Sequence, residues 1–156
     1  GPADVAAIRW TFRDDIETWA RERSEGAAGW LGVEVEITVT ADATTTFPQR
    51  AIDLPDEIGV LQTDRDNLPR VILLRDGSFA PDLQPGLPER LALLWPVEAE
   101  PHEPALELAY VRSRLADSAI DASPVWRAEG VAATTELPRE DDAGSGLVED
   151  DDEVAG

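Results

Sequence analysis

Apolar and polar residues alternate without a break from Gly32 to Thr40, through Val33, Val35, Ile37 and Val39 against Glu34, Glu36 and Thr38. Period two places one face on a core and the other in water, as in an antiparallel sheet. Residues 70–75 (RVILLR) form a continuous apolar run and predict a central strand, closed by a turn at Asp76-Gly77. Leu91–Val97 predicts another buried strand, with Pro96 placing its end at an edge or a bulge. Residues 51–54 and 58–62 are short strand candidates, and 125–137 predicts a last strand with Val131, Ala133, Thr135 and Leu137 on one face.

Two segments carry a helical period instead. Val5, Ile8, Phe12, Ile16 and Trp19 recur at spacings of three and four, with Asp4 as N-cap and Gly26 and Gly29 as terminators, which predicts a helix over 5–24 facing the core. Pro101 and Pro104 open a second helix over about 103–120, with Leu108, Val111, Leu115 and Ala119 as its stripe. Residues 78–90 contain three prolines and a glycine and predict an irregular connection. Together these elements predict an α+β domain over residues 1–137, with four to six antiparallel or mixed strands and both helices on one face. The order resembles that of small viral tail and connector subunits, a likeness of fold that does not by itself fix function.

Composition then narrows the picture. The chain has 156 residues, 33 acidic and 13 basic, for a net charge of −20; every basic residue is Arg. Residues 138–156 hold one Arg against eight acids, net −7, which predicts a disordered acidic tail and leaves −13 on residues 1–137. Acid excess suits either a salt-loving host or an ordinary acidic protein made soluble by its charge. It argues against direct nucleic-acid or anionic-membrane binding, which need a basic footprint, and favours a protein partner, a basic one in particular. No apolar run is long enough to span a bilayer, and a cytoplasmic location is the expectation.

Missing residue types limit the chemistry. Without Lys the chain has no Walker lysine and no Schiff base; without Cys it has no thiol nucleophile, disulfide or zinc ribbon. The one histidine, His102, lies between Pro101 and Pro104 with no nucleophilic serine motif in the chain, and reads as a loop residue. Carboxylates remain. Asp64 and Asp66 form a D-x-D and Asp76 ends a buried strand, so these three are the candidate ligands of a divalent metal. The segment Arg70–Gly77 resembles, over eight residues, the Argonaute PIWI strand that ends in a metal-binding Asp; the upstream catalytic strand and basic groove of that family have no counterpart here. Trp10 and Trp30 fall off the patterned faces and are candidate interface anchors.

The expected function is a non-catalytic interaction or assembly module without a cofactor. A metal-dependent carboxylate enzyme of hydrolase or nuclease type is the alternative, and a DNA-mimic inhibitor a further one.

Overall fold

The computed structural model describes residues 3–14, 26–40, 47–48, 50–55, 58–61, 68–79, 81–103, 105–117 and 124–140. These form seven strands: β1 (Ala3–Arg13), β2 (Gly29–Val39), β3 (Ile52–Asp53), β4 (Arg70–Leu73), β5 (Glu89–Val97), β6 (Ala105–Asp117) and β7 (Pro124–Pro138). They make two antiparallel sheets, ordered β1-β2-β5-β4 and β3-β6-β7. The α+β expectation is therefore wrong: the described part is nearly all β, and both expected helices are strands where they are described. Among the described residues no helix is long and apolar enough to cross a membrane.

The first error has a local cause. In β1, Ala3, Val5 and Ala7 pair with Val39, Ile37 and Val35; Arg9 then pairs with Glu34 and Trp10 with Val33. Ile8 is thus an extra residue, a β-bulge. It moves the inward set from odd to even positions, so Ala3, Val5, Ala7, Trp10 and Phe12 all face the core. The helical stripe joined two inward residues, Val5 and Phe12, through Ile8, the bulge residue itself, and that mixture gave the spacings of three and four. The rest of the expected helix, residues 15–25, lies outside the described residues.

The second expected helix is β6. Leu106 and Leu108 face inward at period two, with Tyr110 packed behind them, and Pro101 and Pro104 precede a strand. The β4 segment is also corrected: it lies at the edge of its sheet, and β2 and β5 are the central strands. Pro96 lies beyond Leu94, the last β5 residue that β4 pairs through Arg70. Of the two short candidates, the first becomes β3 and the second makes only a bridge, Val60 with Val97.

Both sheets contribute to one core. Leu31, Val33 and Val35 from β2, Leu91 and Leu93 from β5, and Leu106 and Leu108 from β6 are all buried, in one cluster with Val71, Leu73, Ile52 and Leu137. Each such side chain contributes about 1.5–3 kcal/mol on leaving water. A second, smaller cluster of Trp30, Ile72, Ala92 and Leu94 occupies the outer face of the four-stranded sheet. Further along that face Arg90 spans Glu34 and Glu36, at 2.7 and 2.9 Å. Those two acids raise the Arg90 pKa above its ordinary value, Glu36 foremost through its hydrogen bond.

The β6–β7 pair outruns this core. Their ladder reaches from Ala105↔Pro138 to Asp117↔Pro124, whereas β3 covers only Ala109 and Tyr110 of the β6 edge. Ala132 and Glu129 are extra residues in β7, at register shifts that bend the ribbon. Gly130, opposite Arg112, has a φ of 131°, which an L side chain rarely adopts.

Candidate functional site

Two contacts join the edge strand β1 to the ribbon. Trp10 bridges in parallel to Arg139, just past β7, and the Ala7 N–H donates to the Tyr110 hydroxyl at 2.9 Å. Toward the start of β1 the two elements separate. A cleft of about 450 Å³ opens there, with Val5 on one side and Tyr110, Val111, Arg112 and Trp126 on the other.

The backbone of β1 supplies polar groups to this cleft. Because Ala7 directs its N–H away from β2, the period of two directs the N–H and C=O of Ala3 and Val5 the same way. Among the described residues no backbone hydrogen bond reaches that edge before Ala7. The cleft thus joins an open strand edge to an aromatic wall. Such an arrangement can hold an extended chain through main-chain hydrogen bonds, with side chains seated against the wall.

The residues singled out in the sequence are placed differently. Asp76 sits in the turn after β4, where its carboxylate accepts from the Ser78 hydroxyl at 2.7 Å and the Ser78 N–H at 2.9 Å. These bonds, the side-chain one foremost, hold its pKa below 3.8. They are what an Asp in a tight turn makes for itself. Asp64 and Asp66 lie outside the described residues. Among the described residues no three His, Asp or Glu side chains are grouped to hold a metal ion. His102 is exposed in the β5–β6 connection.

Trp10 and Trp30, the candidate interface anchors, are both buried. Trp10 is fully buried, and the Arg139 guanidinium lies 4.9 Å from its ring centre. Arg139 is itself held by Glu100 at 2.7 Å and the Pro101 carbonyl at 3.2 Å. Trp30 is 3% exposed on the outer face, with Arg70 5.9 Å from its ring. Trp10 fell off the expected stripe because the stripe was drawn for a helix; at the strand period, past the bulge, it is a core position. The aromatic residues that do line the cleft, Tyr110 and Trp126, carried no such signal, since only the pairing of β6 with β7 and the approach of β1 to Tyr110 brings the cleft together.

Comparison of the chain with protein-family models, with characterised proteins and with solved structures finds no match.

Proposed function

We propose that the protein is a non-catalytic interaction or assembly module that binds an extended segment of a protein partner in the cleft between β1 and the ribbon. One observation carries this reading: among the described residues the edge of β1 at Ala3 and Val5 has no backbone partner, and it runs beside a cleft walled by Tyr110, Val111 and Trp126. Natural proteins cover, charge or twist away such edges unless they serve pairing. The net charge of −20 favours basic or neutral segments on approach.

A library of random peptides selected on the full chain tests the proposal. Selection is expected to return extended, apolar peptides enriched in Lys and Arg. Val5→Pro removes the edge N–H that an added strand would use, and proline is tolerated on edge strands. Trp126→Ala removes part of the wall. Both variants are expected to keep the wild-type melting profile to within a few degrees and to lose peptide binding. Peptides that bind both variants as tightly as the parent chain would refute this mode of binding.

A further inference from the structure

The cleft beside β1 holds one charge of each sign. Among the described residues that line it, Asp4 on β1 is the only acid and Arg112 on β6 the only cation. Among the described residues neither makes an ion pair, with the other or with a third residue, whereas Arg9, Arg13, Arg75, Arg90, Arg114 and Arg139 all do. The joint between the walls sets where the two charges stand. There the Ala7 N–H donates to the Tyr110 hydroxyl at 2.9 Å. Two residues from that joint, Val5 lies on β1 and Arg112 on β6. The extra residues of the ribbon are all in β7, so the period of two in β6 puts Tyr110 and Arg112 on one face. Tyr110 reaches β1, and Arg112 therefore projects the same way, into the cleft. Gly130, opposite Arg112, has no side chain to shield the guanidinium, and a Cβ there would meet nothing within 4 Å. Asp4 is exposed, on the face of β1 opposite to that of Val5.

We infer that the segment bound in this cleft carries a basic and an acidic side chain at an odd separation, the base beside Asp4 and the acid against Arg112. The inference rests on the binding mode proposed above and deepens it. A segment added to the β1 edge directs alternate side chains to the two faces of the sheet. Those on the Asp4 face stand beside that carboxylate. Those on the Val5 face stand against the ribbon wall, where Arg112 lies. Residues on opposite faces are an odd number of positions apart, so the cleft reads the spacing as well as the signs. Opposite charges on neighbouring strands attract and like charges repel, so a segment with the two charges exchanged is disfavoured at both positions. A uniformly basic segment meets Arg112 with a like charge. The net charge of −20 acts at long range on approach, and the two local charges act on contact. A segment that is basic overall and carries one acid satisfies both.

The probe is a synthetic random library of extended peptides with amidated C-termini, so that no terminal carboxylate replaces an acidic side chain. It is selected in parallel on the full chain and on Asp4→Arg and Arg112→Glu, with melting profiles as the folding control. The parent is expected to enrich Asp or Glu an odd number of positions from Lys or Arg. Selection on Arg112→Glu is expected to replace that acid with Lys or Arg, and selection on Asp4→Arg to replace the base with Asp or Glu. Changing the acid of the tightest parent-selected peptide to Gln or Asn is expected to weaken its binding to the parent chain about two- to fivefold, the scale of a solvated ion pair. Arg112→Gln is expected to weaken the unchanged peptide by the same factor and to leave the Gln or Asn peptide unaffected. Peptides that lose binding to Val5→Pro yet carry no acid, or carry acid and base at an even separation, would overturn this inference and leave the cleft standing. A library that returns no peptide, or only peptides indifferent to Val5→Pro, would overturn both.

Discussion

The centre of the four-stranded sheet and the far half of the ribbon are both antiparallel ladders, yet different forces hold them. In β2 and β5 the inward residues Leu31, Val33, Val35, Leu91 and Leu93 are each 0% exposed. In β7 every residue from Arg127 to Thr134 is exposed, and Val131 is 65% exposed. Regular pairing therefore does not distinguish the two regions; burial does. A two-stranded hairpin with no layer packed on it is marginal in water. A ribbon that extends past its core, bends at two extra residues and opposes Arg114 to Arg127 is held at the expense of stability. The proposed cleft lies beside this ribbon, at Tyr110, Val111 and Trp126.

Side-chain truncation should separate the regions most strongly. Leu93 sits in the middle of β5 between β2 and β4, fully buried. Leu93→Ala is expected to cost about 2–5 kcal/mol. Val131→Ala, in the ribbon, is expected to change stability by less than about 0.5 kcal/mol. Urea denaturation of both variants checks this. Equal midpoint shifts would mean that the ribbon is part of the cooperative core and would break the comparison.

The same division governs how much of the molecule was legible in its sequence. β2 was legible because both its faces obey one rule: Val and Ile inward, Glu and Thr outward, with no irregularity over its patterned length. β5 was legible as a buried run, because its outward residues Ala92 and Leu94 are covered by Trp30 and Ile72. β4 has the same composition and was placed centrally, but its position depends on pairing, which composition does not encode. β1 was misread because its bulge at Ile8 interrupts the period. β6 was misread because Leu108, Val111 and Leu115 fall at helical spacings and its alanines favour a helix, although in the strand Leu108 lies on the opposite face from Val111 and Leu115. What decided β6 was its partner β7, about twenty residues away. The cleft was illegible for the same reason, since Tyr110 and Trp126 meet through the β6–β7 pairing and Val5 joins them through the packing of one sheet on the other.

The glycines offer a second contrast of smaller size. A Cβ on Gly29, at the start of β2, would lie 2.4 Å from the Arg13 carbonyl oxygen and 2.6 Å from Phe12 Cζ. The backbone oxygen has little room to yield between paired strands, so Gly29→Ala is expected to cost about 1–3 kcal/mol through crowding. A Cβ on Gly130 would meet nothing within 4 Å, and its only penalty is the φ of 131°. Gly130→Ala should therefore act on the ribbon alone. Faster amide exchange at Ala128–Val131 is expected, with the global urea midpoint nearly unchanged. A global destabilisation by Gly130→Ala as large as that of Gly29→Ala would show that strain in the ribbon reaches the core.

The smallest expected effect concerns pH, at the Asp76 turn that closes β4. Its carboxylate is stabilised in the folded state by the Ser78 hydroxyl, then by the Ser78 N–H, and its pKa lies below the ordinary 3.8. A depressed folded pKa means that the unfolded chain takes up its proton first as pH falls. The contribution is therefore fully present above the unfolded pKa and is lost as pH falls below 3.8 and through the depressed folded value. Ser78→Ala removes the larger of the two bonds. It is expected to move the Asp76 titration, followed by its carboxyl NMR shift, back toward 3.8, with no change in melting temperature at neutral pH beyond a degree or two. The group is fully exposed, so solvent screens its charge and the effect stays local to the turn. If the carboxylate instead held a metal ion with residues outside the described part, millimolar Mg²⁺ or Mn²⁺ would depress the Asp76 pKa further in the parent chain, and this depression would survive Ser78→Ala. A titration curve that does not move with either ion leaves Asp76 as a turn residue, and the turn as part of the body rather than a site.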